Sequence, residues 1–203
     1  GHNTDVEGIR YALDQAGISL VGKRCIIIGH GGAARAALAV LGDGAVAAIT
    51  IAGRRQKALD ELATDFRSAA ARIPVKTLGL TELDSLEAYD LVINATPVGM
   101  APDRDKSILP QELLQPGLSV MDMVSNPART KLLYAAANAG CTTANGVDML
   151  IGQGLASQAI WSIVPDDRGT GDLLNDTELN ELKTVLINAI DQIDKATVPQ
   201  GEA

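Results

Sequence analysis

Residues 24–41 read RCIIIGHGGAARAALAVL, and the step from Ile28 to Gly29 decides the fold. A short apolar run stops at glycines and passes into an alanine-rich segment, the pattern of a buried strand that turns tightly into a helix. The spacing of Gly29, Gly31 and Ala34 fits G-x-G-x-x-G/A, in which each small residue has its own task. Gly29 permits the turn out of the strand, Gly31 lets backbone N–H groups approach a pyrophosphate, and Ala34 lets the helix pack close to the sheet. With His30, Gly32 and Ala33 these residues form a candidate phosphate turn, where free N–H groups and the positive end of the helix dipole face the anion. His30 is read as a spacer beside the pyrophosphate, not as a catalytic group.

Outward from that step the alternation continues. Residues 4–16 carry Val6, Ile9, Leu13 and Ala16 at a helical period, with Thr4 and Glu7 at capping-box spacing and Gly17 as the stop. After a strand at 25–29 and a helix to about Leu41, Gly42-Asp43-Gly44 reads as a turn into a second strand at 47–52. A helix is expected at 56–71, strands at 75–78, 89–94 and 118–124, a helix at 130–138 and a short strand at 141–144. This succession predicts an α/β protein: a Rossmann-like, doubly wound parallel sheet with helices on both faces, closed by C-terminal helices. The closing helices are expected at 149–163 and from Asp176, where Leu179, Leu182, Leu186, Ala189, Ile190 and Ile193 form one stripe. Residues 165–171 read as a loop and those after Ala196 as a frayed end. The expectation is one dinucleotide-binding domain over 1–203, with 1–20 a connecting helix, 21–145 the core and 146–203 the closing helices.

The chain is 46% hydrophobic yet holds one Trp, one Phe and three Tyr, so its core is built from Ala, Val, Leu and Ile, which suits helices packed on a parallel sheet. A formal charge of −8 argues against a nucleic-acid partner, which would select a basic face. No apolar stretch approaches the roughly 20 residues of a membrane helix, and no signal-peptide pattern opens the sequence. A cytoplasmic protein without a membrane partner is therefore expected. Cys25, Cys141, His2 and His30 have no metal-ligand spacing, so no metal site is expected, and the thiols read as reduced.

The end of the second strand bears on which dinucleotide is bound. An NAD site usually places an acid there for the ribose hydroxyls, whereas here Ala52 and Gly53 are followed by Arg54, Arg55 and Lys57. A carboxylate repels a 2′-phosphate, while a guanidinium binds it through charge-assisted, bidentate hydrogen bonds. Three cations opening a helix also oppose its dipole, a small penalty that a bound anion would explain better than a solvated face. NADP is favoured over NAD.

At this point the sequence resembles the shikimate dehydrogenase family, including shikimate/quinate 5-dehydrogenases. The resemblance runs in order through GHNTD at 1–5, GHGGAARA at 29–36, INATPVGM at 93–100, DMVSNPARTKLL at 122–133 and NGVDMLIGQG at 145–154. It implies NADP-dependent interconversion of shikimate and 3-dehydroshikimate on a two-domain enzyme with the active site between the domains. It further implies that Asp5 is the catalytic aspartate, working beside a lysine and contacting substrate hydroxyls, and that Gln153 hydrogen-bonds the substrate. Gly146 is expected beside the nicotinamide, Met123 in its pocket, and Asn94 and Thr96 in the loop under its ribose. Asn94 equally well caps the turn after its strand, and Met123 reads almost as well as a core methionine.

Two departures stand out. Gly53-Arg54-Arg55 replaces the family's Asn-Arg-Thr, and Ser125 stands where most members carry a substrate-side tyrosine. In the family the substrate domain, with the catalytic lysine, precedes the NTD motif. The chain is thus expected to be the cofactor-binding half, with the substrate domain a missing partner. A non-catalytic ligand sensor derived from this dehydrogenase, and a quinate-specific or other NADP-linked dehydrogenase, are the alternatives.

Overall fold

A computed structural model describes residues 2–69, 72–161 and 176–197. In chain order its elements are α1 (Thr4–Gln15), β1 (Arg24–Ile28), α2 (Gly32–Asp43), β2 (Ala48–Gly53), α3 (Gln56–Ala69), β3 (Val75–Gly79), β4 (Leu91–Asn94), β5 (Ser119–Asp122), α4 (Lys131–Asn138), β6 (Thr142–Ala144), α5 (Gly146–Trp161) and α6 (Asp176–Thr197). The six strands form one sheet in the order β3-β2-β1-β4-β5-β6, every neighbouring pair parallel. The strand order reverses between β1 and β4. At such a switch point the loops leaving the carboxyl ends part in opposite directions and open a crevice.

Pleating sorts the strand residues between two cores. Cys25, Ile27, Ile49, Ile51, Leu91, Ile93 and Met121 face α1, α2 and α3, meeting Ile9, Leu13, Leu41, Leu59 and Leu62. Burial of each such aliphatic side chain is worth about 1.5–3 kcal/mol. Ile26, Ile28, Ala52, Val92 and Val120 face the other way. That second face is covered by α4, through Leu132, Leu133 and Ala136, and by Leu86, Tyr89, Leu109 and Leu114 from the β3–β4 and β4–β5 connections. Those connections hold only single 3-10 turns, at 80–82 and 111–113, so apolar anchors in ordered loops do what crossover helices do elsewhere in such sheets.

Several boundaries differ from the sequence expectation for identifiable reasons. Asn3, not Thr4, is the N-cap of α1: its side chain accepts from Asp5 N at 3.3 Å, and Thr4 is already helical, so the Thr4/Glu7 capping box does not form. The helix α2 continues through Gly42 to Asp43 and stops at Gly44. Arg10 Nη2 reaches Asp43 Oδ2 at 2.7 Å across to that last turn. The helix expected from Met149 begins three residues earlier, because the Asn145 side-chain oxygen accepts from Val147 N and Asp148 N, both at 2.9 Å. The helix α1 is part of the core, with Ile9 and Ala12 fully buried. The helix α6 is tied to α5 by Lys183 Nζ on the nearly buried Asp148, 2.6 Å from Oδ1. Leu182, Leu186 and Ile190 of its stripe are half-buried, and Ala189 is exposed. The expected loop at 165–171, the end of the helix expected to reach 163 and the tail after 197 lie outside the described residues.

Candidate functional site

The carboxyl edge of the sheet gathers the chemistry. At the end of β1, Gly29 has φ +129°, and a Cβ there would stand 2.7 Å from the Ala95 carbonyl oxygen. The turn thus passes directly over the exit of β4, stitched by Ala95 N donating to Ile28 O and Gly29 N to Ala52 O, both at 2.9 Å. Gly31 is the N-cap of α2 and supplies no side-chain cap. A Cβ added at Gly31 or Gly32 would meet no atom of the described residues within 4 Å. Backbone N–H groups at a helix start facing open space, on glycines that bare them, make a cradle for an anion. His30 is half-buried within the turn, and Ala33 rests on the core below.

One strand over, the end of β2 presents cations. Arg54, Arg55 and Lys57 are exposed, and none has a recorded side-chain hydrogen bond or ion pair among the described residues. Gly53 itself is buried, and a Cβ there would lie 3.1 Å from Leu59 Cδ2; its small size serves the packing of α3. A groove of about 630 Å³ between α2 and α3, lined by Leu38, Leu62 and Phe66 among others, opens on the helical layer and not on this edge.

On the other side of the switch point, Asp122 ends β5 fully buried and, among the described residues, without a cation in contact. Its Oδ1 accepts from Asn94 Nδ2 at 2.9 Å and Val124 N at 3.1 Å, and its Oδ2 from Thr130 Oγ1 at 2.6 Å. Burial pushes this carboxyl above its ordinary value, and the three donated bonds pull the other way. Asn94 in turn accepts from Thr96 N at 3.1 Å and Thr96 Oγ1 at 2.7 Å, and donates to Val98 O at 3.3 Å.

Asp5 and Gln153 meet above the same edge. The helix α1 runs down to the amino end of β1, so its first turn, with Asp5, lies on the carboxyl side of the sheet. The helix α5 leaves the carboxyl end of β6 and runs antiparallel to α1, with Met149 beside Gly8 and Ser157 beside Thr4. The crossing is close because a Cβ at Gly8 would fall 2.4 Å from Met149 O, and one at Gly152 2.5 Å from Tyr11 Cβ. Gln153 Nε2 then donates to Asp5 Oδ1 at 2.9 Å across 148 residues of sequence.

The shikimate / quinate 5-dehydrogenase family profile matches residues 10–103. The chain is 39% identical to the NADP(+) shikimate dehydrogenase of Moorella thermoacetica over 164 residues, which cover 80% of this chain and 56% of that protein. It is 38% identical to the one from Methanosarcina acetivorans over 185 residues, 90% of this chain and 64% of that protein. A shikimate dehydrogenase crystallised with NADP+ superimposes with a TM-score of 0.75 at 33% identity, covering 98% of this chain and 63% of the other. The chain belongs to the shikimate/quinate dehydrogenase family. It spans 56–64% of the length of these relatives.

Within this family domain the residues expected at the site fall into two groups. Gly29, Gly31, Gly32, Arg54, Arg55 and Lys57 share the β1–β2 side of the edge, and Asp5 and Gln153 form a pair above it. Asn94 is a correction: it is fully buried and its side chain is spent on Asp122, Thr96 and Val98, so it shapes the turn and does not reach outward. Gly146 also has a packing reason, since a Cβ there would be 2.4 Å from the Val124 carbonyl. Met123 is half-buried against the α1–α3 core, and Ser125 is half-buried in the loop after β5. Sequence reading passed over Asp122 and Thr130, both inside the DMVSNPARTKLL run, and the Gly8/Gly152 crossing. It also passed over Asn126, whose Oδ1 is buried without a hydrogen-bond partner among the described residues. A buried-type aspartate closing an apolar strand was the available signal for the first. Among the described residues no helix is long and apolar enough to cross a membrane, and no group of three or more His, Cys, Asp or Glu gathers to hold a metal ion.

Proposed function

We propose that this chain is the NADP-binding domain of a shikimate dehydrogenase, which interconverts shikimate and 3-dehydroshikimate, and that it acts with a substrate domain in the cytoplasm. The observation that carries the reading is the Asp5–Gln153 hydrogen bond on the carboxyl side of the sheet, above the glycine turn. Two polar side chains far apart in sequence converge where a hydroxylated substrate would face the crevice.

The residues present fit the cofactor. Gly31, Gly32 and the α2 N-terminus would hold the pyrophosphate, and Arg54, with Arg55 and Lys57, the 2′-phosphate. The loop after β4, with Thr96, and Met123 would flank the nicotinamide half. When bound, the nicotinamide accepts or returns hydride at the carbon bearing the reacting hydroxyl. Asp5 orients that hydroxyl beside a lysine of the substrate domain, which moves the proton. Gln153 holds Asp5 by one carboxylate oxygen and leaves the other for substrate. Ser125, shorter than the family's tyrosine, bears on how a carboxylated cyclic polyol is gripped, and so on the choice between shikimate and quinate.

Titration with NADP and NAD tests the cofactor assignment. Tighter binding of NADP is expected, falling in Arg54→Ala by about tenfold or more, the scale of a lost charge-assisted pair. An unchanged preference in that variant defeats the assignment. Turnover of shikimate by the 203-residue chain alone would defeat the need for a second domain.

A further inference from the structure

We infer that Asp122 is a positioning residue that sets the nicotinamide half of the crevice, leaving the adenosine half independent of it. The inference rests on the NADP reading above. Asp122 is a side chain that both exit loops of that half share. Through Oδ1 it holds Asn94, whose side chain fixes Thr96 and Val98 in the loop after β4. Through the same oxygen it holds Val124 N, the start of the loop after β5, and through Oδ2 it holds Thr130, which closes that loop. Thr130 Oγ1 also accepts from Leu133 N at 3.3 Å as the N-cap of α4, so the helix, both loops and the carboxylate form one connected unit.

The loops are tied again farther out. Ala101 N donates to Asn126 O at 3.1 Å, and a Cβ at Gly99 would sit 3.7 Å from Thr130 Cβ. The loop after β4 presses on the phosphate turn, where Thr96 Cγ2 would be 3.3 Å from a Cβ at Gly29. Among the described residues no hydrogen bond of this set reaches the adenosine side: Arg54 follows β2, and the open cradle at Gly31 and Gly32 belongs to α2. Three donors converge on this carboxyl group and no cation among the described residues touches it, so its oxygens serve to orient these donors. An amide at the same position would offer one acceptor and a competing N–H₂, leaving the donors one acceptor short.

The test is an affinity ratio measured on the 203-residue chain with two probes, NADPH and adenosine 2′,5′-bisphosphate. In Asp122→Asn, NADPH binding is expected to weaken about tenfold while the bisphosphate stays within about twofold, the retained bisphosphate affinity showing that the variant is folded. A second arm removes the donor instead: Thr130→Val reproduces the selective loss of NADPH affinity and Thr130→Ser restores it. Equal weakening of both probes, or weakening of neither, overturns the positioning role. A parent chain that binds neither probe overturns the nucleotide reading itself, and this role with it.

Discussion

Two glycines in one turn are alike in sequence and opposite in physical role, and substitution separates them. Gly29 holds φ +129° with the Ala95 carbonyl in the way of a side chain, so Gly29→Ala should cost on the order of 2 kcal/mol of folding stability. Gly31 has an ordinary negative φ of −85° and open space where a Cβ would go, so Gly31→Ala should leave the melting temperature almost unchanged. What Gly31→Ala should lose is pyrophosphate contact, seen as about tenfold or weaker NADP binding. Equal melting temperatures for the two variants would show that the turn does not pass over β4 as described. The glycine spacing was legible from residues 29–34 because a phosphate turn is a local device. The buried set of Asn94, Asp122 and Thr130 was not, because its hydrogen bonds join residues 28 and 8 positions apart on different elements.

At the scale of elements, the site depends on how closely two helices cross. The strands and helices of the sheet were readable from alternating apolar runs, since each element buries its own stripe. The α1–α5 contact left no periodic trace in sequence: it rests on Gly8 and Gly152, in two helices of which α5 gathers its apolar residues on no single face. Gly152→Ala sets a methyl 2.5 Å from Tyr11 Cβ, a side-chain stem fixed to its own helix, so the helices must part. The expected result is a loss of about 1–3 kcal/mol in chemical denaturation, the usual scale of overpacking. Separation also stretches the Asp5–Gln153 bond, now 2.9 Å, so in a protein of the relatives' full length kcat should fall while NADP affinity holds. A fall in NADP affinity equal to that in kcat would place the crossing under the cofactor and not under the substrate.

Across the whole molecule, two aspartates at opposite edges of the sheet give stability pH dependences of opposite sign. At the amino edge Asp90 accepts from Arg24 N at 2.8 Å, Arg24 Nε at 3.1 Å and Arg24 Nη2 at 3.1 Å, and Asp90 O accepts from Ser119 N at 3.0 Å. One residue thus joins the starts of β1, β4 and β5. The hydrogen bonds from Arg24 hold its carboxyl down at about 2, against an ordinary 3.8. A depressed folded value means that its contribution is complete above about pH 4 and is lost as pH falls toward 2. Asp122 at the carboxyl edge is raised by burial, so its contribution is complete below the ordinary carboxylate range and is lost as pH rises through its folded value. Denaturation of the parent, Asp90→Asn and Asp122→Asn over about pH 2 to 8 separates the two. The stability difference between parent and Asp90→Asn should be flat near neutrality and shrink on acidification, while the parent should lose ground to Asp122→Asn as pH rises. Parallel profiles for the two variants would contradict the opposed environments. The edge that only holds the sheet together would then behave like the edge that carries the site, although the latter buries its carboxyl group among neutral donors that it orients.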